Sequence, residues 1–204
     1  MKELPARFSA PISTARPRAS RLIEAYSPKL GRRVQLFDHA SFAVWIGLEA
    51  SPTVTSLCER PARLGSAAND PVIDFWARHD GVEVFLIAAP DDAAHAWPDH
   101  VDGISLRFVR PADRAAAGIW IANWQRMLPV INACRSMASR SLMNAVHSFV
   151  RAPTPLAIIE RQFSIGDPTV VRGTIFELLR AGQLSAPTLR TESLSLHTMM
   201  EPAA

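Results

Sequence analysis

Asp74 stands at the head of the apolar run Phe75-Trp76-Ala77, and Glu83 lies in the apolar run that follows Arg78-His79-Asp80-Gly81. Asp38, upstream, sits near the start of a third apolar stretch. Carboxylates on neighbouring strands and a nearby helix can fix a divalent cation, which stabilises charge developing on a phosphodiester and supplies a bound hydroxide. Such chemistry also draws on a lysine to orient the nucleophile or offset the phosphate. The chain holds only Lys2 and Lys29, both upstream of Asp74.

Other donor groups are less pointed. Asp91, Asp92, His95, Asp99, His100 and Asp102 offer carboxylate and imidazole ligands of the kind transition metals take, although loops of this composition are more often simply solvated. Thr169, Arg172 and Arg180 share one predicted helix and could meet phosphates or base edges. Trp120 and Trp124 fall on one helical face and read as core. Cys58 and Cys134 have no CxxC spacing and read as buried, reduced thiols.

The elements that position these groups are legible in part. Residues 1–33, with Pro5, Pro11, Pro17 and Pro28 among arginines, read as an extended basic arm. A largely buried helix is expected over 36–48, closed by Glu49-Ala50-Ser51-Pro52, and a strand over 53–57. Residues 72–77 and 82–88 flank an Asp-Gly turn and predict a hairpin, with a further strand over 104–109. Residues 115–150 read as helical with a break at Pro129. Arg151-Ala152-Pro153-Thr154-Pro155 is the expected domain joint. Beyond it the sequence predicts a helix over 156–163, a turn at Ser164-Ile165-Gly166, and a helix capped by Asp167 and stopped by Gly182. Two short apolar segments, 183–186 and 193–196, enclose a polar tip.

A chain of 204 residues with a 48% apolar and 20% charged composition suits one sizeable core or a medium domain with a satellite. No stretch approaches the roughly 20 apolar residues of a membrane helix, and no secretory signal is apparent, so a cytoplasmic protein is expected. Charge is polarised: residues 1–33 carry eight basic and two acidic side chains, whereas residues 34–105 carry three and eleven. Residues 106–150 carry six and one, and residues 151–204 five of each. The region bearing Asp74 would thus repel a phosphate backbone unless basic neighbours or a partner offset it.

In order, these stretches resemble the TnsA-like subunit of heteromeric transposases, an endonuclease of the PD-(D/E)xK type that acts beside an integrase-type transposase and an ATPase regulator. The resemblance is carried by Pro52 before an apolar strand and Glu59-Arg60-Pro61, by Asp74-Phe75-Trp76-Ala77-Arg78 with Asp80-Gly81, and by Pro90-Asp91-Asp92. It continues in Gly166-Asp167-Pro168 with Ile175-Phe176-Glu177-Leu178-Leu179-Arg180-Ala181-Gly182, and spans roughly residues 30–200. It implies an α/β fold: a restriction-endonuclease-like mixed sheet flanked by helices over 34–150, then a small winged helix-turn-helix-like module over 151–204.

Of the family's catalytic positions, Asp74 alone matches. The helix acid falls near Asp38 but out of register, and the strand acid and lysine fall on Ile87 and Ala89. Glu83 precedes Ile87 by four residues, about 13 Å along a strand. Arg107 could replace a lysine's charge, though not its proton chemistry. The resemblance therefore implies an accessory subunit that has lost its cutting activity and needs no cofactor. Mg2+ or Mn2+ would enter only if a site were rebuilt from Asp74, Asp38 and Glu83. Implied partners are DNA at transposon ends or target, the transposase, an AAA+ ATPase regulator and a homologous active subunit. DNA contacts would fall on Arg16, Arg18, Arg21, Arg32 and Arg33 of the arm and on Thr169, Arg172 and Arg180. A working endonuclease and a DNA-binding regulator using the C-terminal helix-turn-helix are the alternatives.

Overall fold

The computed structural model describes residues 6–17, 20–88 and 97–203, which form two compact units. The first comprises residues up to Glu49 and Thr53–Ala116; the second comprises Ala50–Pro52 and Ala117–Ala204.

In the first unit, β1 (Ile23–Ser27) and β2 (Arg32–Leu36) pair antiparallel, with Ile23 opposite Leu36. The basic arm therefore does not run to residue 33 as expected. Val34, Leu36 and Ser27 are buried, and alternation over so short a run was masked by the flanking arginines. Helix α1 (His39–Ala50) starts where Asp38 Oδ1 accepts the Ser41 amide at 2.6 Å, a side-chain N-cap. Its apolar residues wrap the whole helix, and Val44, Trp45, Ile46 and Leu48 are all buried.

Five strands follow: β3 (Val54–Glu59), β4 (Phe75–His79), β5 (Val82–Ile87), β6 (His100–Val101) and β7 (Ile104–Phe108). They form one mixed sheet in the order β3-β4-β5-β7-β6, antiparallel except for the parallel pair β5 and β7. The β4–β5 turn places Asp80 at φ 50° and Gly81 at φ 80°, the two positive values that a tight hairpin requires. Cys58, Ile73, Trp76, Phe85, Ile87, Ile104 and Leu106 make the core on this sheet. Phe8 of the arm joins them, its ring 5.6 Å from those of Trp76 and Phe85. The short helix α2 (Pro111–Ala116) ends the unit.

The second unit begins with α3 (Gly118–Cys134) and α4 (Arg140–Phe149). Pro129 does not break α3. It and Gln125, whose carbonyl loses a partner, are both exposed, so water can take that bond while buried Met127, Leu128 and Ile131 hold the helix. The interruption comes instead at 135–139, where Ser139 Oγ caps α4 by accepting the Leu142 amide at 3.1 Å. Then come β8 (Thr154–Pro155), α5 (Leu156–Phe163), α6 (Thr169–Arg180), β9 (Leu184–Ser185), a 3-10 turn (Pro187–Arg190) and β10 (Met199–Pro202). Strand β10 lies between β8 and β9. The strand expected over 193–196 forms later, at Met199–Pro202. The stretch 151–155 is not a joint but leads into a strand inside this unit, and the division falls near residue 117, because α3 and α4 pack on α6.

Candidate functional site

Asp74 sits just before β4, beneath the first turn of α1. Its Oδ1 accepts the Ser41 hydroxyl at 3.2 Å and its Oδ2 accepts the Ala88 amide at 2.8 Å. Its carbonyl accepts the Arg60 amide at 2.8 Å. Burial pushes the Asp74 carboxyl above its ordinary range, and the charge of Asp38 adds to this; the bonds from Ala88 and Ser41, with the more distant Arg114, oppose it. A cavity of about 440 Å3 opens beside it, lined by Asp38, Ser41, Arg60, Arg63, Asp74 and others, with Thr14, Ala15 and Pro17 of the arm along one wall.

The β4–β5 register pairs Phe75 with Leu86, so one step further sets Asp74 against Ile87. Ile87 is 4% exposed and belongs to the apolar core. Glu83, in contrast, pairs with Arg78 at 3.1 Å and lies 3.8 Å from Arg7, at the turn end of β5 and outside the Asp74 cavity. A site rebuilt from Asp74, Asp38 and Glu83 is thus not assembled. The donors present do not fit a divalent ion. Both Asp74 oxygens already accept protein hydrogen bonds, Asp38 caps a helix, and the facing strand position is aliphatic. The sequence matches no protein-family profile and no curated protein.

The predicted basic contacts divide. Arg18 lies outside the described residues, as do Ala89, Asp91, Asp92 and His95. Arg21 and Arg33 are exposed, and exposed Arg16 donates to the Ser20 carbonyl. Arg32 is instead a structural cation, gripping buried Glu59 through two bonds of 2.6 and 2.7 Å. Arg172 likewise holds Glu160 at 2.5 and 2.9 Å, and Arg180 holds Glu177 at 2.5 and 2.7 Å. Thr169 donates its amide and hydroxyl to Asp167, whose carboxyl is held below its usual range by those bonds. Seven of the twelve residues of α6 are buried, and the other five, Thr169, Val170, Arg172, Glu177 and Arg180, are half-buried.

Asp99, His100 and Asp102 fall on the β6–β7 hairpin, Asp102 at its turn with φ 49°. No group of three or more His, Cys, Asp or Glu side chains that could hold a metal forms among the described residues. Cys58 and Cys134 are buried and unbridged. Burial holds the Cys58 thiol up at about 11, aided by Glu59, so it is protonated at neutral pH. Trp124 is core, as expected, and Trp120 meets it edge-on at 5.4 Å.

Ser41, Arg60 and Arg63 are the cavity residues that sequence reasoning passed over. Ser41 carries a signal in retrospect, since it lies one turn into the helix that Asp38 caps. Arg60 carries none: it lines the cavity from a backbone φ of 45° that no local pattern announces.

Proposed function

We propose that this chain is an accessory, nuclease-dead TnsA-like subunit of a cytoplasmic DNA transposition machinery, in which the sheet unit serves as a scaffold. The arrangement of Asp74 carries the reading. Its two oxygens are taken by Ser41 and Ala88, and the position across the hairpin, where the family's strand acid would fall, is Ile87, so the one matching acid serves as a structural residue. Support for the restriction-endonuclease-like ancestry comes from element order. A helix, three antiparallel strands and, after the short β6, a strand parallel to the third run in the order α1, β3, β4, β5, β6 and β7.

The C-terminal unit supports a winged-helix reading by the same logic. Helix, strand, two helices and two strands run as α4, β8, α5, α6, β9 and β10, with the last strand central. Burial of α6 and the ion pairs that occupy Arg172 and Arg180 favour protein docking over DNA reading for this module. DNA contact then falls to exposed Arg16 and Arg21 of the arm and Arg33 of β2, and the transposase, the ATPase regulator and a homologous active subunit become the partners to test.

The test is cleavage of supercoiled plasmid and of transposon-end DNA with Mg2+ or Mn2+, alone and with an integrase-type transposase as the proposed partner, comparing wild type with Asp74→Ala. The expected result is no cleavage by the protein alone and no change on mutation. Cleavage that Asp74→Ala abolishes overturns the proposal.

A further inference from the structure

Residues 117–159, within the second unit, hold four arginines and a histidine and no aspartate or glutamate. At the chain's overall frequency of 19 acids in 204 residues, about four would fall there, so the charge of this stretch is one-sided. Helix α4 gathers it into a row. Arg140, Asn144 and His147 are all exposed, and their spacing of four and then three residues sets them along one side of the helix. Arg151 follows just past the helix end, also exposed, its Nε donating to the Ser148 carbonyl at 2.7 Å.

Stability does not account for this row. A cation at a helix start opposes the dipole, yet Arg140 is the first residue of α4, and the first turn carries no acid to offset it. The Arg140 side chain makes no hydrogen bond or ion pair among the described residues. Helices α5 and α6 pack against α4, and their acids are engaged elsewhere: Arg172 holds Glu160 and Arg180 holds Glu177. Asp167, in the turn between those two helices, accepts from Thr169.

The partner follows from what the row has and what it lacks. Arginine, asparagine and serine are usual donors to phosphate oxygens, and exposed Ser141 and Ser148 flank the row. The apolar side of α4 is not free to enter a bilayer. Val146 is buried, Leu142 and Met143 are half-buried, and Phe149 meets Phe163 edge-on at 5.4 Å. Nor does the row hold an aromatic ring on which the bases of a single strand could stack. Arg140 and His147 lie about 10 Å apart along the helix axis. That is about three charge spacings of one strand of a duplex, so successive cations meet different phosphates.

We propose that the side of α4 formed by Arg140, Asn144 and His147, with Arg151 beyond its end, binds the phosphate backbone of duplex DNA. This surface adds to the arm contacts of the accessory-subunit reading and does not rest on that reading, since attraction to phosphate requires no nuclease ancestry.

Fluorescence anisotropy of a labelled duplex with the full chain, in EDTA and over about 50 to 200 mM salt, tests it. The pair Arg140→Ala and Arg151→Ala should weaken binding about tenfold or more and lower the salt slope by about two. The same loss is expected in a chain that also carries Arg16→Ala and Arg21→Ala, so arm binding does not mask it. Lysine at both positions should restore affinity, because a phosphate accepts a point charge. Arg190→Ala removes an exposed cation that stacks on Trp120, 4.8 Å from the ring centre, and serves as the control for net charge. An alanine pair no weaker than Arg190→Ala, a single strand that binds as well as the duplex, or polyglutamate that competes as well as the duplex overturns the proposal. If circular dichroism shows that the alanine pair fails to fold, hydrogen exchange of the wild type decides. Added duplex should slow exchange of the first-turn amides of α4, and unchanged exchange there overturns the proposal. Binding is read without metal, so this proposal and the nuclease-dead reading can fail separately.

Discussion

Ser41 Oγ donates to Asp74 Oδ1 across 3.2 Å, so the first turn of α1 meets the head of β4 through a hydroxyl and not through a second carboxylate. A hydroxyl and the Ala88 amide satisfy the charge of Asp74 without an ion. The acid becomes a clamp between α1 and the end of β5, and its energetics follow from burial.

That burial gives Asp74 a pH signature. Because its carboxyl is raised in the folded chain, the folded state binds the proton more tightly than the unfolded one. Stability therefore falls as pH rises from the ordinary Asp value of about 3.9 through the raised value, and above that window the full cost of the desolvated charge is present. Asp74→Asn removes the charge and keeps a carbonyl for the Ala88 amide. Its melting temperature should exceed that of wild type at pH 7, with the gap shrinking toward pH 4. A scanning calorimeter at the two pH values checks the sign, and a gap that widens on acidification would refute this account.

Arg32 and Arg33 are neighbours with opposite expected behaviour. Arg32 neutralises Glu59, which is 2% exposed, so Arg32→Ala strands a buried carboxylate and should cost about 3 kcal/mol. Arg33 points to solvent, and Arg33→Ala should change stability by no more than about 0.5 kcal/mol. Urea denaturation of the two variants separates a structural cation from one available to DNA. If both behave alike, the Glu59 bridge is not a stabilising element.

Much of the sheet was legible because its signals are local. The Asp80-Gly81 turn set the β4–β5 hairpin, and the alternation over Ile104–Phe108 set β7. The β1–β2 hairpin was hidden, since Arg32 and Arg33 read as arm while their strand partners lie upstream beside prolines. Helix α6 was legible from Pro168 at its start and Gly182 beyond its end, yet its burial was not: it depends on α3, which sequence assigned to the other domain. In the site, Asp74 was found from its place before an apolar strand. The fate of Glu83 followed from strand spacing alone, whereas Ser41 and Arg60 needed tertiary geometry.

The close approach of α3 and α6 runs through Gly173. A Cβ there would lie 2.6 Å from Cys134 Cβ and 3.3 Å from the Val130 carbonyl, so the helices must separate to admit it. Gly173→Ala should destabilise by about 2 kcal/mol despite the better helix propensity of alanine. Gly47, inside α1, would place its Cβ in open space, and Gly47→Ala should instead stabilise by about 0.5–1 kcal/mol. Thermal melts of the pair give opposite signs if packing at Gly173 outweighs propensity, and two gains would show that the helices yield.

Asn123 makes the sharpest case for a polar staple. Its side chain is 2% exposed. It donates to the Leu189 and Glu192 carbonyls at 2.9 and 2.8 Å and accepts the Leu194 amide at 2.8 Å. Three backbone groups of one irregular segment thus depend on a single amide, and Asn123→Ala leaves all of them without it. The expected loss is about 3 kcal/mol, set by the cost of stranding buried polar groups more than by the bonds themselves. Asn123→Asp should lose at least as much, because it replaces two donors with a buried charge facing two carbonyls. Hydrogen exchange at the Leu194 amide gives the local readout. Faster exchange there in Asn123→Ala, beyond the global loss of stability, identifies Asn123 as what fixes the segment, and unchanged relative protection would assign that role to packing of Leu189.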